Sequence, residues 1–196
     1  MAIPKKVINF LEKGKVKYEA IGHRTVYTAF DKAKTLKRGP LAGGWRVGRS
    51  PGKMVGKTLI LKMDGKLTVV LIPANKNLDL QKFKKLAKAL PAACLPDRQG
   101  RQVKKIDFAS ERLIKNKFKA RLPRYAKHCG QGVKVGVIPP FGNLWGMKTF
   151  IDNSLMKEKE IILNSGDYNF SIKISSNQLK KILPDAIFGN FSEKKK

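Results

Sequence analysis

Gly52, Gly56, Lys57 and Thr58 stand in the stretch GKMVGKTLIL, close to the pattern of a loop that wraps nucleotide phosphates. Such a loop needs four residues between its glycines and a helix after its lysine. Here three residues intervene, and TLILKMDGKLTVVLIP follows: two apolar, β-branched runs around Asp64-Gly65, a strong hairpin signal. Lys57 therefore opens a strand, and nucleotide-phosphate binding by this stretch is excluded. Other chemistries lack their residues. The one Gly-x-Ser-x-Gly spacing, Gly48-Arg49-Ser50-Pro51-Gly52, falls in a stretch with neither strand nor helix periodicity and so makes no elbow. His23 and His128 are the only histidines, which makes a Ser-His-Asp triad a poor expectation. Cys94 and Cys129 stand in no metal-binding spacing with them, so no metal or other cofactor is expected.

The elements that must position Lys57 alternate between helix and strand. Ile3, Val7, Ile8 and Leu11 mark a helix ended by Gly14, and VKYEAI alternates as a strand. Thr28 can cap a helix through AFDKAKTLK, Asp79 caps the one after the hairpin, and Ser110-Glu111 opens ERLIKNKF. VKVGVI reads as a buried strand. EIILNSGDYNFSIKIS gives two strands about Ser165-Gly166-Asp167; Ser176 then caps a last helix, and the tail SEKKK is expected to fray. The fold class this implies is mixed α/β: a single-domain, mostly antiparallel sheet, partly barrel-like, packed with helices. One domain over residues 1–190 and a lysine-rich tail at 191–196 are the expected boundaries.

Composition narrows the partner. The 42 lysines and arginines against 14 acidic residues leave a formal charge of +28 on 196 residues, and a folded domain so charged is best matched to a polyanion such as RNA. No apolar run is long enough to span a membrane, no secretory leader is evident, and two cysteines fit a reducing cytoplasm. Three stretches, 38–52, 90–102 and 119–131, keep neither periodicity. They hold seven of the nine arginines and, among acids, Asp97 alone, and they read as basic loop insertions. Two expectations fit 38–52 and 119–131: flaps that hold RNA, since arginine's fork suits phosphate, or expansions without a role.

Without those insertions the chain resembles the YbaK/ProX-type aminoacyl-tRNA deacylases, relatives of the prolyl-tRNA synthetase editing domain. The motifs follow in order: His23 and Thr28 in YEAIGHRTVYTAFDKA, Lys57-Thr58 in VGKTLIL, then LDLQKFKKLAKAL and KKIDFAS. GVIPPFG supplies Gly136, Pro140 and Gly142; FIDNSL supplies Asp152; LNSGD supplies Ser165-Gly166. The resemblance implies a hydrolase that removes a wrongly attached amino acid from tRNA in trans. It implies Lys57 as the catalytic lysine and the other residues just named as a substrate-binding set. The acceptor end of tRNA is the implied partner, an aminoacyl-tRNA synthetase a further one the resemblance admits. Attack of water on an ester builds charge on the carbonyl oxygen, so fixed donors help; backbone N–H groups at Gly136–Gly142 and near Ser165-Gly166 are the expected ones beside the Lys57 ammonium. The alternative is a non-catalytic, basic RNA-binding protein on the same fold.

Each residue also has a plainer role: Thr28 an N-cap, His23 a packed histidine, Asp152 a cap for NSLMKEKE. Trp45, Tyr125 and Trp145 could stack bases, with core packing as the plain role.

Overall fold

The protein is described by a computed structural model that covers residues 3–27, 29–38, 51–91, 103–119 and 136–195. Thr28, Trp45, Tyr125, His128, both cysteines and nearly all of the three insertions lie outside the described residues.

Helix α1 (Lys5–Lys13) turns Val7 and Leu11 inward and stops at Gly14. Strand β1 (Tyr18–Gly22) follows, then α2 (Ala29–Arg38) and one turn of helix, α3 (Pro51–Met54). The hairpin of β2 (Gly56–Met63) and β3 (Lys66–Pro73) is the frame of the molecule. Its two-residue loop pairs Met63 with Lys66, and φ is positive at both Asp64 (44°) and Gly65 (89°). That is the turn whose twist matches the strands, and it is why Asp-Gly stands there. Strand β4 (Lys76–Leu78) leads into α4 (Leu80–Ala89), where Asp79 accepts hydrogen bonds from the backbone N–H of Gln81 and Lys82. Strand β5 (Ile106–Phe108) and α5 (Glu111–Lys119) come next; Ser110 Oγ accepts from Leu113 N–H. The remainder comprises β6 (Thr149–Asp152), β7 (Glu160–Asn164), β8 (Phe170–Ser175), α6 (Ser176–Ile182), β9 (Ile187–Gly189) and β10 (Ser192–Lys194).

The larger sheet runs β5-β2-β3-β6-β9; a three-stranded sheet runs β1-β8-β7, and β10 pairs with β4. The pairings are antiparallel except β3–β6 and β6–β9. The two larger sheets meet where Val55 bridges Ile162 in parallel, which gives the partial barrel; it does not close among the described residues. Between them lies the main apolar cluster, with Ile60, Leu71, Leu163, Ile172, α1 and α6. On the other face of the five-stranded sheet, Phe83 of α4 packs edge-on against Phe150 and Phe191. A small third cluster of Ile21, Ala33, Val55, Ala74 and Ile162 seats α2 at the junction.

Three expectations are corrected. Residues 136–138 of VKVGVI form no strand: Gly136 has φ +89° and is followed within four residues by Pro139-Pro140, which lack N–H groups for a ladder. The cap of the last helix is Ser175, whose Oγ accepts from Gln178 N–H; Ser176 is the first helical residue. The tail does not fray at 192–194 but pairs as β10, and Phe191 before it is fully buried.

Candidate active site

Lys57 enters β2 immediately after the bridge that joins the sheets. Its neighbours Leu59 and Leu61 pack with the Phe83 cluster, so alternation turns Lys57 to that same face. There its ammonium, half-buried, donates to the Lys76 carbonyl at 2.8 Å. Burial, and then the nearby charge of Lys195, hold its pKa below the ordinary lysine value. Thr58 turns the opposite way, and its hydroxyl is buried without a hydrogen-bond partner among the described residues.

Asp152 ends β6, one position after Ile151, the partner of Leu71. It thus stands across β3 from Lys57 on the same face. Its carboxylate is fully engaged: Oδ1 accepts from the N–H and hydroxyl of Ser154, and Oδ2 from Phe191 N–H at 2.9 Å. Burial alone would raise its pKa; the hydrogen bonds outweigh that and leave it lowered. Through Ser154 N–H Asp152 opens the segment NSLMKEKE, the capping role expected of it, and through Phe191 N–H it also holds the C-terminal strand in place.

A second group gathers at the turn after β7. His23 reaches β8, with Nε2 2.8 Å from Ser171 Oγ and Nδ1 2.8 Å from the Arg24 carbonyl. The carbonyl can only accept, which assigns the proton of a neutral ring to Nδ1. Burial chiefly, and secondarily the charge of Lys32, lower the His23 pKa. Ser165 Oγ donates to the Phe170 carbonyl and accepts from Asp167 N–H, so this hydroxyl shapes the turn. Gly136 lies against this group, since a Cβ on it would stand 3.4 Å from the Tyr27 carbonyl.

The expected backbone donors need correcting. Gly166 N–H is bonded to the Val137 carbonyl at 3.0 Å, and Gly142 N–H to the Pro140 carbonyl and Thr149 Oγ1. Both N–H groups are spent on holding loops, because a buried turn must satisfy its own backbone before it can serve a ligand. Pro140 and Gly142 are buried and belong to that packing. A Cβ on Gly142 would collide with Thr149 Oγ1 and stand 2.6 Å from the Met147 carbonyl. Gly142→Ala should therefore cost about 1–3 kcal/mol, read as a lowered thermal midpoint by circular dichroism. Trp145 is likewise core, 8 % exposed and edge-on to Phe118.

Sequence reasoning missed Lys32. This α2 lysine is 1 % exposed, and its ammonium lies 2.6 Å from Asn164 Oδ1, at the end of β7 before Ser165. Burial lowers its pKa from 10.5 to about 7. Its helix carries Lys32, Lys34 and Lys37, and nothing in that run distinguishes the buried one.

The structure thus brings His23, Gly136, Ser165 and Gly166 together with Lys32 and Asn164, while Lys57 and Asp152 share the opposite face of the larger sheet. The two groups approach at the Val55–Ile162 junction, two residues before both Lys57 and Asn164. No cluster of three or more metal-ligating side chains occurs among the described residues, and no helix there is long and apolar enough to cross a membrane.

A mixed sheet joined in this way, with a strand-opening Lys-Thr beside a Ser-Gly turn, defines a class. The aminoacyl-tRNA editing domain family matches residues 25–182, and the chain belongs to that family. A search of curated proteins gives no match. Among solved structures, a hypothetical protein APE2540 superposes with TM-score 0.68 at 18% identity, over 96% of this chain and 99% of that one. A protein described as "a putative trans-editing enzyme for prolyl tRNA synthetase" superposes with TM-score 0.61 at 15% identity, over 96% of each chain. These likenesses establish the YbaK-like editing fold.

Proposed function

We propose that this protein hydrolyses the ester of wrongly aminoacylated tRNA, acting in trans. The observation that carries the reading is membership of the editing-domain family over residues 25–182, a span that includes Lys57 and the Ser165-Gly166 turn. In this reading water attacks the ester carbonyl, a tetrahedral oxyanion forms, and its collapse releases the amino acid and the terminal ribose hydroxyl. The Lys57 ammonium is the fixed positive charge that favours the oxyanion. His23, Thr58 and Gly136 serve the aminoacyl group and the terminal nucleotide; Thr28, given the same part by the resemblance, lies outside the described residues. Ser165, Gly166, Pro140, Gly142 and Asp152 shape the walls, an indirect part in substrate binding that suits their internal hydrogen bonds. In the free protein Lys57 rests on the Lys76 carbonyl; substrate must offer a better acceptor to draw it away.

One set of observations favours the second reading, an RNA-binding protein without catalysis: the Gly142 and Gly166 donors are engaged, and Lys57 is tied to β4. Incubation with a panel of mischarged tRNAs, following release of free amino acid, separates the two. Release from at least one member above the spontaneous rate is expected. Tight tRNA binding with no release from any would establish the non-catalytic reading instead.

A further inference from the structure

One cavity of the fold lies away from Lys57. A cleft of about 870 Å³ opens at the other end of the β2–β3 hairpin, between its turn, α5 and the loop before β6. Lys62 lines it, five residues along β2 from Lys57, or about 17 Å at ~3.3 Å per residue. Lys62 also alternates with Ile60 and Thr58, on the face of β2 opposite Lys57.

Four lysines from three separate parts of the chain converge on this cleft: Lys62 and Lys66 from the hairpin, Lys117 from α5 and Lys148 before β6. One carboxylate, Asp185, faces them. Asn116 and Asn143 add amide groups to the lining. Concave walls of low dielectric concentrate the field of such a set. Lysine is a point charge that tolerates many phosphate orientations, whereas reading bases calls for forked or paired donors. The chemistry is that of a phosphodiester backbone, held without regard to sequence.

We propose that this cleft is a docking site for the phosphate backbone of tRNA, separate from the ester-hydrolysing end of the protein. Only the choice of tRNA as the RNA rests on the proposed deacylase reading; the backbone chemistry does not. Duplex phosphates sit in the cleft, and the free end of the strand extends beyond it. Binding energy is gathered away from the reacting ester, so the site need not recognise the amino acid strongly in order to hold the RNA.

The test compares two variants of equal charge. One carries Lys62→Gln, Lys66→Gln, Lys117→Gln and Lys148→Gln. The other carries Lys13→Gln, Lys17→Gln, Lys88→Gln and Lys157→Gln, at exposed positions outside the cleft. Affinity for an uncharged tRNA transcript is measured against salt. Each phosphate contact contributes roughly 0.7–0.9 to the slope of log affinity on log salt, so the cleft variant should lose about 3 in slope and the control much less. Equal losses would overturn the proposal, as would equal competition by polyglutamate, which would mark the cleft as a general polyanion sink. Should the cleft variant fold poorly, acetylation of the parent protein decides: bound tRNA must protect those four lysines in preference to the control four. Hydrolysis of a mischarged terminal nucleoside, too short to reach the cleft, should be unchanged in the cleft variant. If no ester is hydrolysed by either protein while the selective binding loss persists, the deacylase reading fails and the docking site stands. If hydrolysis persists but the two variants bind alike, the docking site alone fails.

Discussion

Lys57→Ala should lower deacylation of the correct mischarged tRNA by about 10²-fold or more, the loss typical of removing one donor to a developing oxyanion. The fall should appear in kcat, because the charge it stabilises exists only in the transition state. Folding should change little. The hydrogen bond lost is a single half-buried one to the Lys76 carbonyl, and such a bond contributes about 0.5–1.5 kcal/mol. A chain of this size then moves by only a few degrees in thermal midpoint. Lys57→Arg keeps the charge but not the compact ammonium, and should recover part of the rate if charge is what matters. The opposite pattern, a large drop in midpoint with near-parental turnover at permissive temperature, would make Lys57 a structural tie between β2 and β4 and remove it from the chemistry.

The second large effect belongs to Lys32. Its folded-state pKa, about 7, lies below the unfolded value of 10.5 because burial disfavours the ammonium. Between those values the unfolded chain binds the extra proton, so stability should rise with pH from about 7 towards 10.5. Below pH 7 both states are protonated and the destabilisation is present in full. Each pKa unit corresponds to about 1.4 kcal/mol, so the whole rise amounts to a few kcal/mol. Other lysines titrate as well, and the difference from a Lys32→Met variant isolates this one. That variant should show a flatter stability profile from pH 7 to 10, measured by urea denaturation at each pH. Its gain at neutral pH is reduced by about 1–3 kcal/mol, because Asn164 loses its partner. The double variant Lys32→Met, Asn164→Leu should recover that amount. Parallel pH profiles for parent and Lys32→Met would mean that Lys32 carries no depressed pKa.

Local rules were legible wherever one residue type decides the backbone. Asp64-Gly65 announces its turn because both positions need positive φ; Asp79, Ser110 and Gly14 mark helix ends by groups they satisfy themselves. The order of the family motifs placed Lys57 at the start of its strand, where it lies. What failed required knowledge of distant partners. The tail SEKKK gives no apolar signal, yet residues 192–194 pair with β4, where Phe191 anchors them and gives its N–H to Asp152. Apolar residues around Gly136 suggested a strand, whereas positive φ at Gly136 keeps residues 136–138 out of one. Whether a glycine N–H is available cannot be seen in a motif, since Val137 and Thr149 come from elsewhere in the chain to occupy Gly166 and Gly142. Lys32 and the basic cleft are set by tertiary packing alone.

The parallel pairing of β3 with β6 joins Leu71 to Ile151. Everything between those residues, including the stretches 90–102 and 119–131, belongs to one closed chain loop. Closure entropy grows only with the logarithm of loop length, so that doubling it costs about 0.6 kcal/mol. A gene for this fold can therefore lengthen or shorten at those two places, codon by codon, with almost no thermodynamic resistance. Variation in length should concentrate there, whereas a single residue added to the two-residue turn at Asp64-Gly65 would shift the register of the whole hairpin.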